Sequence, residues 1–328
     1  MTVAYFYKAN PVLEEQVDRY FARLAAYNDA HCDGQLSVIL LGSLSRGEGT
    51  WQSTEKGDRL LSDIEYFTVY PDGFTGQRDF TAFAADAARE VFAGQDSTLF
   101  HIDNTFVRRG ALPLMERKLL TYDALRMGKT VVGEDRIPLL PAITVENINL
   151  CDIRDILTHR VFSVLYYGLP MKQAGDTEGY RYSLAKNSLD LMTVLLVSHG
   201  VLESGFGRRL ELVKNLPVDE RVKAYFAYCL SIKLSTECDH TFTIEEMEEQ
   251  LLSLLQKLSR TFRVPLKNLW VNRRFVLRRR MGMVKRALQC RRLPRLGHLR
   301  SLIASFEKKT LLTPRQLTNN RILNGYPT

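Results

Sequence analysis

The spacing of apolar and polar positions changes character near residue 144. Before that point, short apolar runs rich in strand formers alternate with amphipathic stretches. After it, apolar residues recur almost entirely at three- and four-residue spacing. Asn10 followed by Pro11 places a cap residue before a proline at the first helical position. Val12, Val17, Tyr20, Phe21 and Leu24 then give a helix an apolar face as far as about Asn28. Leu36 to Leu41 reads as a strand that closes at Gly42-Ser43, and a polar connection leads to a second strand, Ser62 to Tyr70. Pro71-Asp72-Gly73 marks a turn, and Asp79 to Phe92 reads as a helix buried through Phe80, Phe83, Ala84, Ala87, Ala88 and Val91. A third strand is predicted over Ser97 to Val107, and a further helix over Leu112 to Met127, stopped by Gly128.

Pro138 and Pro141 mark a break, and the domain boundary falls nearby. Beyond it, five stretches carry helical periodicity: Asp152 to Tyr167, Tyr180 to His199, Arg208 to Leu216, Asp219 to Leu234 and Ile244 to Thr261. The expectation is an α/β (α+β) sheet domain over residues 1–140, then an all-α domain over 141–328.

Composition narrows the classes without choosing a chemistry. The chain has 328 residues, 45% of them apolar and 25% charged, ordinary values for a globular protein large enough for two cores. No apolar run reaches the length of a membrane span, and the first residues lack a basic region followed by a long apolar core. Five cysteines are scattered without a C-x-x-C pair, which fits reduced thiols in a cytoplasm. Cys229, Cys238 and His240 are neighbours in sequence, but their spacing matches no zinc site. The net charge of +8 is concentrated: residues 266–300 hold twelve Lys and Arg and no acid, and removing them leaves −4 for the rest.

The candidate chemistry lies between Leu36 and Tyr70. Asp63 and Glu65 alternate with Ile64, so both carboxylates point to one face of a strand, about 7 Å apart. Two aligned anions repel unless a cation lies between them. Gly42 permits a tight turn, and Ser43 with the following amides can hold phosphate oxygens. On the third strand, alternation separates His101, Asp103 and Thr105 from Phe100, Ile102, Asn104 and Phe106.

A Gly-Ser turn after one strand with an Asp-x-Glu on the next resembles the polymerase β-type nucleotidyltransferase superfamily. GSLSRGE with LSDIEY, and later TYDALRMGKTVVGED, also resemble stand-alone nucleotidyltransferases of bacterial surface-polysaccharide loci. A helical part after such a sheet resembles kanamycin nucleotidyltransferase and its relatives. The resemblance implies transfer of an NMP from an NTP, with ATP the default donor, to a hydroxyl or phosphate acceptor such as a saccharide. It implies that Gly42, Ser43 and Arg46 seat the triphosphate. Asp63, Glu65 and Asp103 would bind two Mg²⁺ ions, with Asp103 completing the acceptor-side site and helping to deprotonate the acceptor hydroxyl. It further implies that the helical part supplies basic residues to the phosphates. Lys186, with Arg181 and Asn187 beside it, is the leading candidate, and His159-Arg160 a weaker one.

The segment 266–300 repeats Leu266, Trp270, Leu277, Met281, Val284 and Leu288 at roughly helical spacing among its basic residues. Such a segment reads as a surface for anionic membrane, for nucleic acid, or for solvent alone. Three alternatives stay open: an RNA- or tRNA-directed nucleotidyltransferase, a membrane-associated enzyme peripheral at the inner surface, and a catalytically degenerate nucleotide- or membrane-binding module. Helical domains of this kind often pair, so a homodimer is open as well.

Overall fold

The computed structural model describes residues 4–55, 57–95, 100–235 and 241–263. The basic segment 266–300 and the Cys238–His240 pair lie outside the described residues, as do Ser97 to Leu99 of the predicted third strand.

Helix α1 (Pro11–His31) begins as its sequence predicts: Asn10 caps it by accepting from the Leu13 amide at 3.0 Å. It leads into β1 (Ser37–Leu41), a strand buried along its whole length. The chain then departs from expectation. Residues Gly42–Ser45 form a single helical turn, α2, and the connection predicted as polar loop holds a hairpin of β2 (Trp51–Thr54) and β3 (Gly57–Leu60). Too short and polar to register as alternation, that hairpin owes its turn to Gly57 at φ +109°.

Strand β4 (Ile64–Tyr70) returns antiparallel to β1, with Leu41 opposite Glu65. Asp63 therefore immediately precedes the strand rather than belonging to it. Helix α3 (Gln77–Val91) crosses over to β5 (Ile102–Arg108), which lies parallel to β4 with Asp103 in register with Glu65. The helix predicted over 112–127 starts later. Pro113 cannot sustain an α-helical hydrogen-bond ladder, and Arg109–Leu114 is a 3-10 piece, so α4 spans only Leu119–Met127. The strand that follows, β6 (Lys129–Val132), joins the sheet beside β1. The sheet order is β5-β4-β1-β6.

One sheet face packs Val38, Leu40, Ile64 and Tyr66 against α1 and α3. The other packs Ile39, Leu41, Phe67, Val69 and Val107 against Leu112 and Ala124. Glu65 continues the second face, where Phe67 and Val69 stand.

The rest of the described chain is helical, as predicted: α5 (Leu150–Ser163), α6 (Leu169–Gln173), α7 (Thr177–Ser198), α8 (Phe206–Lys214), α9 (Glu220–Ser235) and α10 (Ile244–Thr261). A π-helical stretch, Val164–Gly168, joins α5 to α6. Helix α7 is buried nearly all round and forms the axis of this part. Its core does not stop at the predicted boundary, because Leu61, Leu119 and Tyr122 belong to it.

Candidate active site

Antiparallel β1 and β4 and parallel β4 and β5 bring three chain positions to one edge of the sheet. They are the end of β1 with Gly42 and Ser43, the start of β4 with Asp63 and Glu65, and the start of β5 with His101 and Asp103. The helical part closes over that edge and leaves a cavity of about 450 Å³. Gly42, Ser43, Arg46, Asp63, Glu65 and Asp103 line its floor, and Lys186 lines its wall. These seven residues expected from the sequence thus face one space, as do Asn187, His159 and Arg160.

Gly42 is constrained twice. Its φ is +69°, a region that side chains disfavour, and a Cβ placed there would stand 2.4 Å from the Glu65 Oε2 atom. The turn and the carboxylate are packed as a unit.

The two carboxylates differ in environment. Asp63 Oδ2 accepts from Lys186 Nζ at 2.6 Å, and its Oδ1 accepts from the His101 amide at 3.1 Å. Burial opposes its charge, but Lys186 and His101 outweigh that and hold Asp63 below the ordinary carboxylate range. Glu65 is pushed up to about 7, first by burial and then by the adjacent negative charge of Asp63. Lys186 is raised: burial disfavours its charge, and Asp63 more than compensates. The floor is therefore an acidic pair in which an ammonium holds the first carboxylate and the second takes up a proton far more readily than an ordinary carboxylate.

Asp63, Glu65 and Asp103 offer only hard oxygen donors, the kind that suits Mg²⁺. Burial and the adjacent Asp63 charge both raise Glu65, and a divalent cation between the two carboxylates would oppose that rise. Among the described residues, no three His, Cys, Asp or Glu side chains converge closely enough to hold a metal ion. The fit to the ion thus rests on the Asp63–Glu65 pair, with Asp103 one strand away on the same face.

Arg46 lines the cavity, but its charge is shared. Its Nε donates to Glu48 Oε2 at 2.8 Å, one Nη lies 3.5 Å from Asp123 Oδ2, and its guanidinium sits 5.2 Å from the Phe206 ring centre. Arg209 binds the other oxygen of Asp123 at 2.6 Å and lies on the same phenyl ring, 5.6 Å from its centre. Arg181 is turned away from the cavity. It donates to the Tyr228 hydroxyl at 2.7 Å and to the Phe242 carbonyl at 3.0 Å, inside the helical core, which corrects its place beside the phosphates.

Three groups escaped the sequence reading. Lys233 of α9, 2% exposed, gives its three N–H donors to neutral hydroxyls: Thr50 at 2.8 Å, Ser62 at 2.9 Å and Tyr182 at 3.0 Å. It thereby ties α9 and α7 to the residue preceding Asp63. Asp123 and Arg209 form the second such tie, and Asp190, paired with Arg160 at 3.0 Å, forms the third. A lone lysine in the apolar stretch YFAYCLSIKLS was the one visible signal for the first.

No protein-family profile matches the chain, and no curated protein matches it. Among solved structures, the chain is similar to the crystal structure of spectinomycin adenyltransferase AAD(9) from Enterococcus faecialis with ATP and spectinomycin. The identity is 15% and the TM-score 0.49, over 75% of this chain and 98% of that one.

Proposed function

We propose that the chain is a Mg²⁺-dependent nucleotidyltransferase, with a catalytic domain over 1–140 and a helical domain over 141–328 that covers it. The observation that carries this reading is the convergence of Gly42-Ser43, the Asp63–Glu65 pair and Asp103 at one sheet edge, beneath a wall that presents Lys186. The reaction joins an acceptor oxygen to the α-phosphorus of an NTP. The bond from the α-phosphorus to the bridging oxygen breaks, pyrophosphate leaves, and the acceptor proton passes to a carboxylate. ATP is the default donor, and a saccharide is the default acceptor.

When bound, the ions would neutralise the triphosphate and lower the cost of the attacking oxygen's charge. Asp63 and Glu65 hold them. The α2 turn offers backbone N–H groups and the Ser43 hydroxyl to phosphate oxygens. Arg46, fixed by Glu48 and Asp123, presents a positive edge to the same phosphates. Lys186 neutralises Asp63 in the resting site and contributes its charge to the triphosphate in the loaded one. Asp103 accepts the acceptor's proton.

The test is a thermal-shift series with the four NTPs, with and without Mg²⁺. A ligand bound to the native state raises Tm by mass action. A Mg²⁺-dependent shift selective for one NTP and absent in Asp63→Asn is expected. No shift with any NTP would return the protein to the class of degenerate binding modules. Among the described residues no helix is long and apolar enough to cross a membrane.

A further inference from the structure

The wall of the cavity above the carboxylates is built from α5 and α7, and its charges are unevenly used. Arg160 of α5 lines the cavity with its side chain 17% exposed. Its Nη1 is held by Asp190 Oδ2 at 3.0 Å and by Asn187 Oδ1 at 3.4 Å, both on α7. Asn187 is itself fixed, donating to the Ser183 carbonyl at 2.7 Å. These contacts hold the guanidinium from one side. Its Nε is buried and has no acceptor among the described residues. A buried donor without a partner is costly, and a guanidinium fixed in the cavity wall with its Nε unmatched is a group that can take a carboxylate or phosphate.

The wall's carboxylates are occupied by contrast. Asp190 is matched by Arg160, and Asp123 by Arg209 and Arg46. An amine-bearing acceptor would have to break one of these pairs to find a counter-charge on the helical side. An anionic acceptor has only to satisfy an unmet donor.

We propose that the acceptor is a hydroxyl compound bearing an anionic group, a phosphate or a carboxylate, and that Arg160, oriented by Asp190 and Asn187, anchors that group. The inference rests on the nucleotidyltransferase reading for the word acceptor, though not for the anion site itself. Phosphate and carboxylate share the charge that Arg160 recognises, and the probes below separate them.

Calorimetric titration of the full chain, with Mg²⁺ and a non-hydrolysable ATP analogue present, uses four probes: glucose 1-phosphate, glucuronate, glucose and glucosamine. At least one anionic sugar is expected to bind tenfold or more tightly than glucose and glucosamine. Arg160→Gln should abolish that preference and leave the affinity for the ATP analogue unchanged. Asp190→Asn, which removes one of the two contacts that orient the guanidinium, should weaken the anionic sugar several-fold and leave the ATP analogue unaffected, and it keeps the test decisive if Arg160→Gln does not fold.

Three results overturn the proposal. They are a preference for glucosamine, equal binding of all four sugars, or an Arg160→Gln effect on the ATP analogue as large as that on the sugar; the last would assign Arg160 to the donor. If the analogue fails to bind while the anionic sugar still binds through Arg160, the anion site stands and the nucleotidyltransferase reading falls. If neither binds, both fall.

Discussion

The floor of the cleft and its helical wall solve opposite electrostatic problems. On the floor, Asp63, Glu65 and Asp103 are gathered by neighbouring strands, and burial together with the adjacent Asp63 charge pushes Glu65 up to about 7. On the wall, Arg209 is matched to Asp123 and Arg160 to Asp190, and Lys233 is surrounded by hydroxyl dipoles. The floor keeps a charge that a cationic partner would relieve. The wall is matched charge for charge except at the Arg160 Nε, and what it offers is position and that one donor. A site assembled from both halves can therefore be tested by asking which half loses chemistry and which loses structure.

The largest expected effect lies on the floor. Asp63→Asn should reduce nucleotidyl transfer by on the order of 1,000-fold while shifting Tm little, read by pyrophosphate release and thermal melting. Equal loss of activity on substituting Asp123 would erase the distinction between floor and wall.

Lys233→Met tests the wall. It leaves the hydroxyls of Thr50, Ser62 and Tyr182 without their shared donor and should cost about 2–4 kcal/mol in urea denaturation. Activity in the surviving folded fraction should fall much less than in Asp63→Asn.

Gly42→Ala probes the joint between turn and carboxylate. The positive φ costs about 1–2 kcal/mol by itself, and the new methyl also displaces Glu65. Loss of stability accompanied by loss of Mg²⁺-dependent NTP binding is expected, and unchanged binding would separate the turn from the acidic pair.

The smallest effect is a pH dependence. The folded-state value of Glu65 lies above its ordinary 4.5, so the native state holds that proton more tightly than the unfolded chain does. The native state loses stability as pH rises from 4.5 to about 7, and the penalty is complete above that range. In EDTA, Glu65→Gln should remove this loss, gaining at most about 3 kcal/mol at pH 8 relative to pH 4. A parallel pH dependence in both proteins would show that Glu65 is not the strained carboxylate.

The floor was legible because strands place chemistry at short sequence range. Gly42, Ser43, Asp63 and Glu65 fall within two dozen residues, and alternation put Asp103 on a strand face where the resemblance implied a third carboxylate. The helices were legible as elements for the same reason of periodicity. The wall was legible only in part, through Lys186 and Arg160. Asp190, Arg209 and Lys233 sit on three helices, and their meeting with the rest depends on how the helices cross, which no local spacing encodes. Arg181 shows the converse: placed near Lys186 in sequence, it points into the helical core, since adjacent helix positions differ by about 100°. The 51–60 hairpin and the late start of α4 were hidden by a polar pattern and by Pro113.

Helix α4 carries one more consequence. Its Leu119 and Tyr122 are buried in the helical core, where the Tyr122 hydroxyl donates to the Leu202 carbonyl at 3.1 Å, while Ala124 of the same helix packs under the sheet. Leu61, one residue past β3, also belongs to the helical core. A nine-residue helix cannot melt on one side only. The two halves are therefore bound into one cooperative unit, and heat should unfold sheet and bundle in a single calorimetric transition, with the cleft between them acting as a seam and not a hinge.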